Sequence, residues 1–170
     1  MAAFLLAAFI NYENIIAMYN IELQRITLET AQTDVLQAVE NICDQFKMEN
    51  HFGTISTALH EVISLMERFS NDAEAPFTVN FYVEEEKVSV QILNYRQWED
   101  VQRAFDTCSV NDADATAFIA KTLLDKVEFR ENTIWMEIDA AATADQPDRA
   151  QILHNETVKA EQKQESANRR

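Results

Sequence analysis

The sequence predicts an α+β fold: a two-layer sandwich in which a mostly antiparallel sheet carries helices on one face. Two observations support this prediction. Segments that alternate strictly between apolar and polar residues come in pairs joined by short turns, as in hairpins of a sheet covered on one side. Segments with helical periodicity lie between those pairs. The predicted order is strand, helix, helix, two strands, helix, two strands.

The first half of the domain is predicted to hold one strand and two helices. The strand begins at Tyr19, and its apolar alternation changes phase near Gln24, which predicts a β-bulge there. Thr33 is the predicted N-cap of the first helix. A second helix is predicted from about Phe52 to Phe69. The predicted apolar stripe of the first helix consists of Val35, Leu36, Val39, Ile42, Cys43 and Phe46.

The second half is predicted to hold two hairpins with helical sequence between them. The first hairpin turns at "EEEK" and the second at "EN". A short helix is expected within residues 94–106, and Asp112 or Asp114 is the predicted cap of a helix that reaches Leu124. The residues of this last helix predicted to face the core are Phe118, Ile119, Thr122 and Leu123.

The chain is predicted to have three parts. Residues 1–18 are an apolar N-terminal extension or precede a true start at Met18, residues 19–139 form the folded domain, and residues 140–170 form a disordered polar tail. A helix docked on the domain and a weak export signal are the other interpretations of the apolar start. It is too short to span a bilayer and lacks the positive residues that open a signal peptide.

Charge and composition restrict the class of partner. The net charge is −15, and residues 141–170 hold five acids and five bases, so the whole excess lies in the rest of the chain. This acidity argues against a nucleic-acid or anionic-membrane surface and favours a neutral or basic protein. The two cysteines, Cys43 and Cys108, form no CxxC pair, which is typical of reduced thiols in a cytoplasmic protein.

The stretch "STALHEVISLMERF" contains a His-Glu pair that a zinc protease helix would continue as His-Glu-x-x-His. Two ligands four residues apart share one face of a helix, and here Ser64 stands where the second His is needed. His51 and His154 have no ligand spacing to His60. The sequence therefore predicts no zinc site, and His60 beside Glu61 is expected to face solvent.

Three segments and their order resemble the histidine-kinase-like (GHKL, or Bergerat-fold) ATPase domain, in particular the bacterial anti-sigma-factor serine kinases. "ISTALHEVISLMERFSND" resembles the N-box helix of that family, which runs Glu-x-x-x-Asn. "VSVQILNYRQWED" lies where the family has a strand leading into Asp-x-Gly-x-Gly. "TAFIAKTLLDKVEFRENTIWMEID" resembles its last helix and hairpin. The resemblance covers about Tyr19 to Asp139.

The resemblance implies a role for each matching position. Glu61 matches the N-box Glu, which activates the attacking water or hydroxyl, and is the catalytic candidate; the alternative is a solvated helix charge. Asn94 falls on the adenine-binding Asp and keeps a carbonyl that accepts from the adenine amine, so it is the cofactor-binding candidate. Leu65 falls on the Asn that holds magnesium, and an alkyl chain offers no oxygen ligand. No metal ligand is therefore predicted.

The glycines of the family are missing. Those that follow the adenine position fall on Arg96 and Trp98, and the pair in the lid falls near Asp114 and Thr116. Glycines let the backbone approach a nucleotide and offer its N–H groups to phosphate. Gly53 is the single glycine of the chain, so a phosphate cradle is not expected. Trp98 is expected either to fill the nucleotide's space or to anchor a surface.

The sequence predicts a degenerate anti-sigma-factor-like domain: a regulatory, bacterial, cytoplasmic protein-binding module without ATP turnover. The resemblance implies a sigma factor or an anti-anti-sigma-type domain as partner, and a homodimer is left open. No cofactor, nucleic acid or membrane is expected. The alternative is an ATP-dependent serine kinase that uses Glu61 and Asn94 with ATP and magnesium. A third possibility is a structural subunit of an assembly.

Overall fold

The computed structural model describes residues 18–85 and 87–139, together with the isolated positions 162, 166, 167 and 169. The N-terminal extension expected at residues 1–18 lies outside the described residues except for Met18. The expected disordered tail, residues 140–170, also lies outside them except for the four isolated positions.

Five strands and four α-helices make up the described domain. The strands are β1 (Met18–Ile26), β2 (Phe77–Glu84), β3 (Lys87–Leu93), β4 (Lys126–Arg130) and β5 (Thr133–Asp139). The helices are α1 (Leu28–Gln45), α2 (Phe52–Phe69), α3 (Trp98–Thr107) and α4 (Thr116–Leu123). A 3-10 turn, Glu49–His51, joins α1 to α2.

The strands form one sheet in the order β1-β2-β3-β5-β4, and every neighbouring pair is antiparallel. Alternate residues of the strands are buried in a single core with the helices. In the middle of the sheet Phe81 lies opposite Val90, which lies opposite Met136, and all three are at most 1% exposed. The predicted α+β sandwich with a one-sided antiparallel sheet is confirmed.

The predicted bulge in β1 is confirmed. The pairing of β1 with β2 shifts register between Leu23 and Ile26. Arg25, within the shift, has a φ of 56°, a left-handed backbone conformation that accommodates the extra residue. Both hairpins and the helix from Phe52 to Phe69 also form as predicted.

The predicted start of α1 is wrong. The helix begins at Leu28 with Thr27 as its N-cap residue, and Thr33 lies exposed inside the helix. Leu28 and Ala31 are buried and extend the apolar stripe about two turns from Val35 towards the N-terminus. Leu36 is also misassigned, because its side chain is 47% exposed rather than part of the core.

The predicted cap of α4 needs a correction as well. The N-cap residue is Ala115, and Asp112 instead accepts the Ser109 N–H in the preceding turn at 2.6 Å. The Thr122 side chain was predicted to face the core, but it is exposed, and its hydroxyl donates to the Phe118 carbonyl at 2.8 Å. The buried face of this short helix consists of Ala117, Ala120 and Leu123.

None of the helices within residues 18–85 and 87–139 combines the length and the apolar character needed to cross a membrane.

Candidate functional site

Helix α2 presents Glu61, Leu65 and Arg68 on one face, because residues separated by three or four positions lie above one another on an α-helix. The apolar stripe that anchors α2 to the sheet lies beside this face. Leu65 is completely buried, at 0% exposure, whereas Glu61 is half-buried and Arg68 is exposed. The face is therefore an apolar centre with one charged residue at either side.

The segment that leads into α4 lies against this face of α2. Asp114 forms an ion pair with Arg68, between its Oδ2 atom and the arginine Nη2. Thr116 contacts the Glu61 side chain. Asp114 Oδ1 accepts both the N–H and the hydroxyl of Thr116, at 3.0 and 2.5 Å. Asp114 and Thr116, near which the resemblance implies the lid glycines, are thus connected to α2 by their side chains.

Burial raises the pKa of Glu61 above its usual value, and the nearby charge of His60 opposes this effect. The hydrogen bond with Thr116 and the charge of Arg68 also lower the pKa of Glu61, whereas the charge of Asp114 raises it. Burial is the largest of these effects, so the net shift of the Glu61 pKa is upward.

Asp114 has the opposite shift. Its pKa is lowered because its carboxylate accepts the Thr116 hydroxyl and N–H and lies beside the Arg68 guanidinium. Two carboxyl groups in contact with one threonine are thus shifted in opposite directions, Glu61 towards the neutral form and Asp114 towards the anion. Such a separation is typical of acid–base sites, although structural ion-pair networks produce it as well.

The residues present do not fit a magnesium ion at the position that matches the family's metal ligand. Leu65 has no oxygen atom, and its side chain is enclosed in the core. Magnesium requires oxygen ligands in an octahedral arrangement and usually keeps several waters. Among the described residues no cluster of three or more His, Cys, Asp or Glu side chains has a geometry that would hold a metal ion.

Asn94 follows β3, and its described interactions are those of its backbone in a turn. Its φ of 65° is left-handed, a conformation that asparagine tolerates better than most residues, and its N–H donates to the Asn132 carbonyl at 2.9 Å. The cavity that it helps to line has a volume of about 10 Å³. Ligand sites usually measure about 300–1,000 Å³, so this cavity does not accommodate an adenine ring.

The structure does not bring Glu61 and Asn94 together. The cavity beside Asn94 lies at the C-terminal end of α2, where Ser70 and Asn71 line it. Nine residues separate Glu61 from Ser70, which corresponds to about 13 Å along a helix axis. Between the two ends, Tyr95 is buried and its hydroxyl donates to the Met66 carbonyl at 2.8 Å.

His60 and Ser64, the residues of the rejected zinc motif, connect α2 to α1. His60 is exposed, and its Nδ1 atom lies 3.0 Å from Gln32 Oε1. The Ser64 hydroxyl donates to the His60 carbonyl at 2.8 Å. Of the other matched positions, Arg96 is exposed, and Trp98 is half-buried at the start of α3 with its side chain against the core.

Sequence reasoning missed Arg68 and Tyr95. It assigned Asp114 as a possible helix cap and as a position near a lid glycine of the resembled family, and it assigned Thr116 only as such a position. The spacing of seven residues from Glu61 to Arg68 was the available signal for the first, since it places both on one helix face. Tyr95 gave no such signal, because its partner is a backbone carbonyl 29 residues away.

No protein-family model matches the chain, and a search of curated proteins finds no match either.

Proposed function

We propose that the protein is a regulatory protein-binding module, a degenerate domain of the anti-sigma-factor kinase type that does not turn over ATP. The observation that carries this proposal is the direct contact of the lid positions with α2, where Asp114 and Thr116 meet Arg68 and Glu61. In the family that the sequence resembles, a nucleotide would enter between these two segments. Here side chains of the protein occupy that boundary.

The closed arrangement has an apolar basis. Leu65 lies between Glu61 and Arg68 and is fully buried, so opening the boundary would expose it to water. The exposed Arg68–Asp114 ion pair adds little, since pairs of this kind contribute about 0–1 kcal/mol. Burial of a leucine side chain contributes about 1.5–3 kcal/mol. Packing therefore favours the closed boundary more than charge does.

The acidic character of the domain supports a basic protein as the partner. An acidic surface accelerates encounter with a positively charged protein and excludes acidic competitors. The resemblance suggests a sigma factor or an anti-anti-sigma-type domain, and a cytoplasmic location follows from such partners. Capture experiments with purified domains of both classes test this assignment. If the protein binds neither class of domain, the assignment is wrong.

Calorimetric titration with magnesium-ATP tests the absence of nucleotide binding. We expect no heat of binding and no change in the melting temperature. A ligand at a hundred times its Kd stabilises a folded protein by about 2.7 kcal/mol, so binding would be readily detected. An active anti-sigma-factor serine kinase, measured under the same conditions, is the positive control. A saturable heat with a raised melting temperature would contradict the proposal.

One observation favours the alternative, an ATP-dependent serine kinase. The raised pKa of Glu61 is the property expected of a general base. The same titration separates the two functions, because a kinase must bind ATP. If ATP binds, loss of phosphoryl transfer in Glu61→Gln with retained ATP affinity would assign Glu61 as the base.

A further inference from the structure

Two cavities lie along the boundary between α1 and α2. The first has a volume of about 210 Å³, and the second has a volume of about 460 Å³. The larger one is within the range of about 300–1,000 Å³ that is usual for ligand sites. We call the two cavities together the helix groove, and they are formed by residues 32–44 of α1, Glu49 and residues 52–63 of α2.

The two cavities follow one another along both helices, because residues four positions apart lie on the same side of an α-helix. On α1, Leu36 lines the first cavity and Glu40 lines the second. On α2, Ser56 lines the first cavity and Phe52 lines the second. The distance from residue 32 to residue 44 corresponds to about 18 Å along a helix axis, which is the length of about three helical turns. The helix groove is therefore long enough for a short helix of a partner.

The floor of the helix groove is apolar. Val39 and Leu59, which line the first cavity, belong to the core of the domain. Leu36 lies beside them and is 47% exposed, and Phe52 in the second cavity is half-buried. Apolar surface of this kind favours a ligand with an apolar face, because contact removes both surfaces from water.

The rim of the second cavity is acidic. Glu40, Asp44 and Glu49 line this cavity, and all three are exposed. The Glu40 carboxylate accepts from the Gln37 amide at 3.5 Å. Within the part of the chain that the structure describes, no lysine or arginine forms an ion pair with any of the three carboxylates. The rim therefore presents accessible carboxylates to a ligand in the groove.

The cations near the groove leave this rim negative. Residues 28–60 contain five acids and a single lysine or arginine, Lys47. Lys47 is exposed after the end of α1 and is not among the described residues that line the groove. Arg68, near the other end of α2, is already in an ion pair. The charge of Glu49 also reaches the floor of the groove, since burial and then this charge raise the pKa of Cys43 to about 11.

We propose that the helix groove binds a cationic amphipathic helix of a protein partner. Apolar side chains of that helix cover Leu36 and Phe52, and its lysine or arginine side chains lie among the three carboxylates of the rim. Helices with apolar residues three or four positions apart bind in apolar grooves in this way. The apolar floor would accept any amphipathic helix, and the acidic rim selects a cationic one. This inference rests on the proposed role as a protein-binding module and names the surface and the chemistry of its partner.

The test uses the full chain and a synthetic cationic peptide with a leucine stripe, acetyl-Leu-Ala-Ala-Leu-Lys-Ala-Lys-Leu-Ala-Ala-Leu-Lys-Ala-Lys-amide, in a calorimetric titration. We expect saturable binding of one peptide per chain. The same peptide with glutamine in place of lysine should bind more weakly, because it cannot pair with the rim. The peptide with alanine in place of leucine should not bind, because it has no apolar stripe. Equal binding of either altered peptide would overturn the proposal.

Asp44→Asn and Asp34→Asn form a matched pair for the charge of the rim. Both residues are exposed on α1 and both changes remove one charge, but Asp34 lines neither cavity. Loss of the Asp44 carboxylate should weaken binding of the lysine peptide by about threefold, whereas loss of the Asp34 carboxylate should leave its affinity nearly unchanged. Equal weakening would indicate general charge attraction and refute the site.

Leu36→Asn and Val110→Asn form a second pair, for the apolar floor. Both side chains are exposed, but Val110 lies between α3 and α4, outside the groove. Leu36→Asn should weaken the peptide by about tenfold, and Val110→Asn should not. Unchanged affinity in Leu36→Asn would refute the site, as would absence of binding to the unmodified protein.

Two other occupants of the helix groove would each overturn the proposal. If the unmodified protein is a dimer in analytical ultracentrifugation and Leu36→Asn converts it into a monomer, a second copy of the chain occupies the groove. If the peptide binds only after Phe4 and Leu5 are replaced by asparagine, the apolar start of the chain itself occupies it.

These outcomes are independent of the ATP titration. If neither ATP nor the peptide binds, the helix groove fails as a docking site and the protein-binding role stands. If ATP binds, the proposed function fails irrespective of the peptide data.

Discussion

Replacing Leu65 by asparagine introduces the residue that the resembled family uses to hold magnesium, and we expect it to destabilise the fold. Leu65 is fully buried between Glu61 and Arg68 on α2. Truncating a buried leucine to alanine costs about 2–5 kcal/mol, and a buried amide without partners costs about 1–3 kcal/mol more. Because the amide fills part of the cavity, we expect a total loss of about 3–6 kcal/mol.

Urea unfolding followed by circular dichroism measures this loss. The expected change is a large part of the 5–15 kcal/mol that stabilises a typical domain, and it should lower the urea midpoint by about 2 M. Leu36→Asn is the matched control, because it makes the same replacement in α1 at a side chain that is 47% exposed. The control should cost under about 1 kcal/mol, mostly through helix propensity.

A small loss in Leu65→Asn would refute the reasoning. If the variant unfolds within about 1 kcal/mol of the unmodified protein, Leu65 is not enclosed as the structure indicates. If the variant in addition binds magnesium-ATP, a nucleotide site exists beside α2, and the closed boundary is not a permanent feature of the fold.

Two further predictions concern the titratable groups. Because the pKa of Glu61 is raised on folding, its contribution to stability is complete below its ordinary pKa of 4.5 and is lost as the pH rises through the folded value. In thermal unfolding, Glu61→Gln should therefore be more stable than the unmodified protein at pH 7 but not at pH 4. The control Glu67→Gln, at an exposed position of the same helix, should show no such difference between the two pH values. An equal gain of Glu61→Gln at both pH values would contradict this prediction. Burial, and then the charge of Glu49, raises the pKa of Cys43 to about 11, so an alkylating reagent at pH 8 should modify the half-buried Cys108 first and Cys43 only on unfolding. Equal labelling rates in the native protein, followed by mass spectrometry, would show that Cys43 is accessible.

The strands could be predicted because their signal is local. Alternation within β2 and β3 identifies the buried face of each, and the change of phase near Gln24 identified the bulge. The start of α1 could not be predicted in this way. Ile26 and Leu28 continue an alternating pattern and also begin a helical stripe with Ala31, so the same residues satisfy both periods. Packing of Leu28 and Ala31 in the core determines that the helix begins there.

The candidate site was predicted only in part, for a related reason. The resemblance singled out Glu61 as the catalytic candidate. That Leu65 cannot bind a metal ion follows from its side chain alone, because it has no oxygen atom. The contacts of Glu61 and Arg68 are with residues 55 and 46 positions later in the chain. No periodicity connects positions so far apart.

By itself, the sequence determined the elements, the buried face of each strand, the scarcity of glycine and the absence of an oxygen ligand at position 65. These properties depend on side-chain type and on spacing within one element. Only the tertiary structure decided that the side chains of Thr116 and Asp114 contact α2, and that Glu22, Asn80 and Trp135 belong to one row across the sheet. Alternation assigns a residue to a face, but strand order and register decide its neighbours on that face.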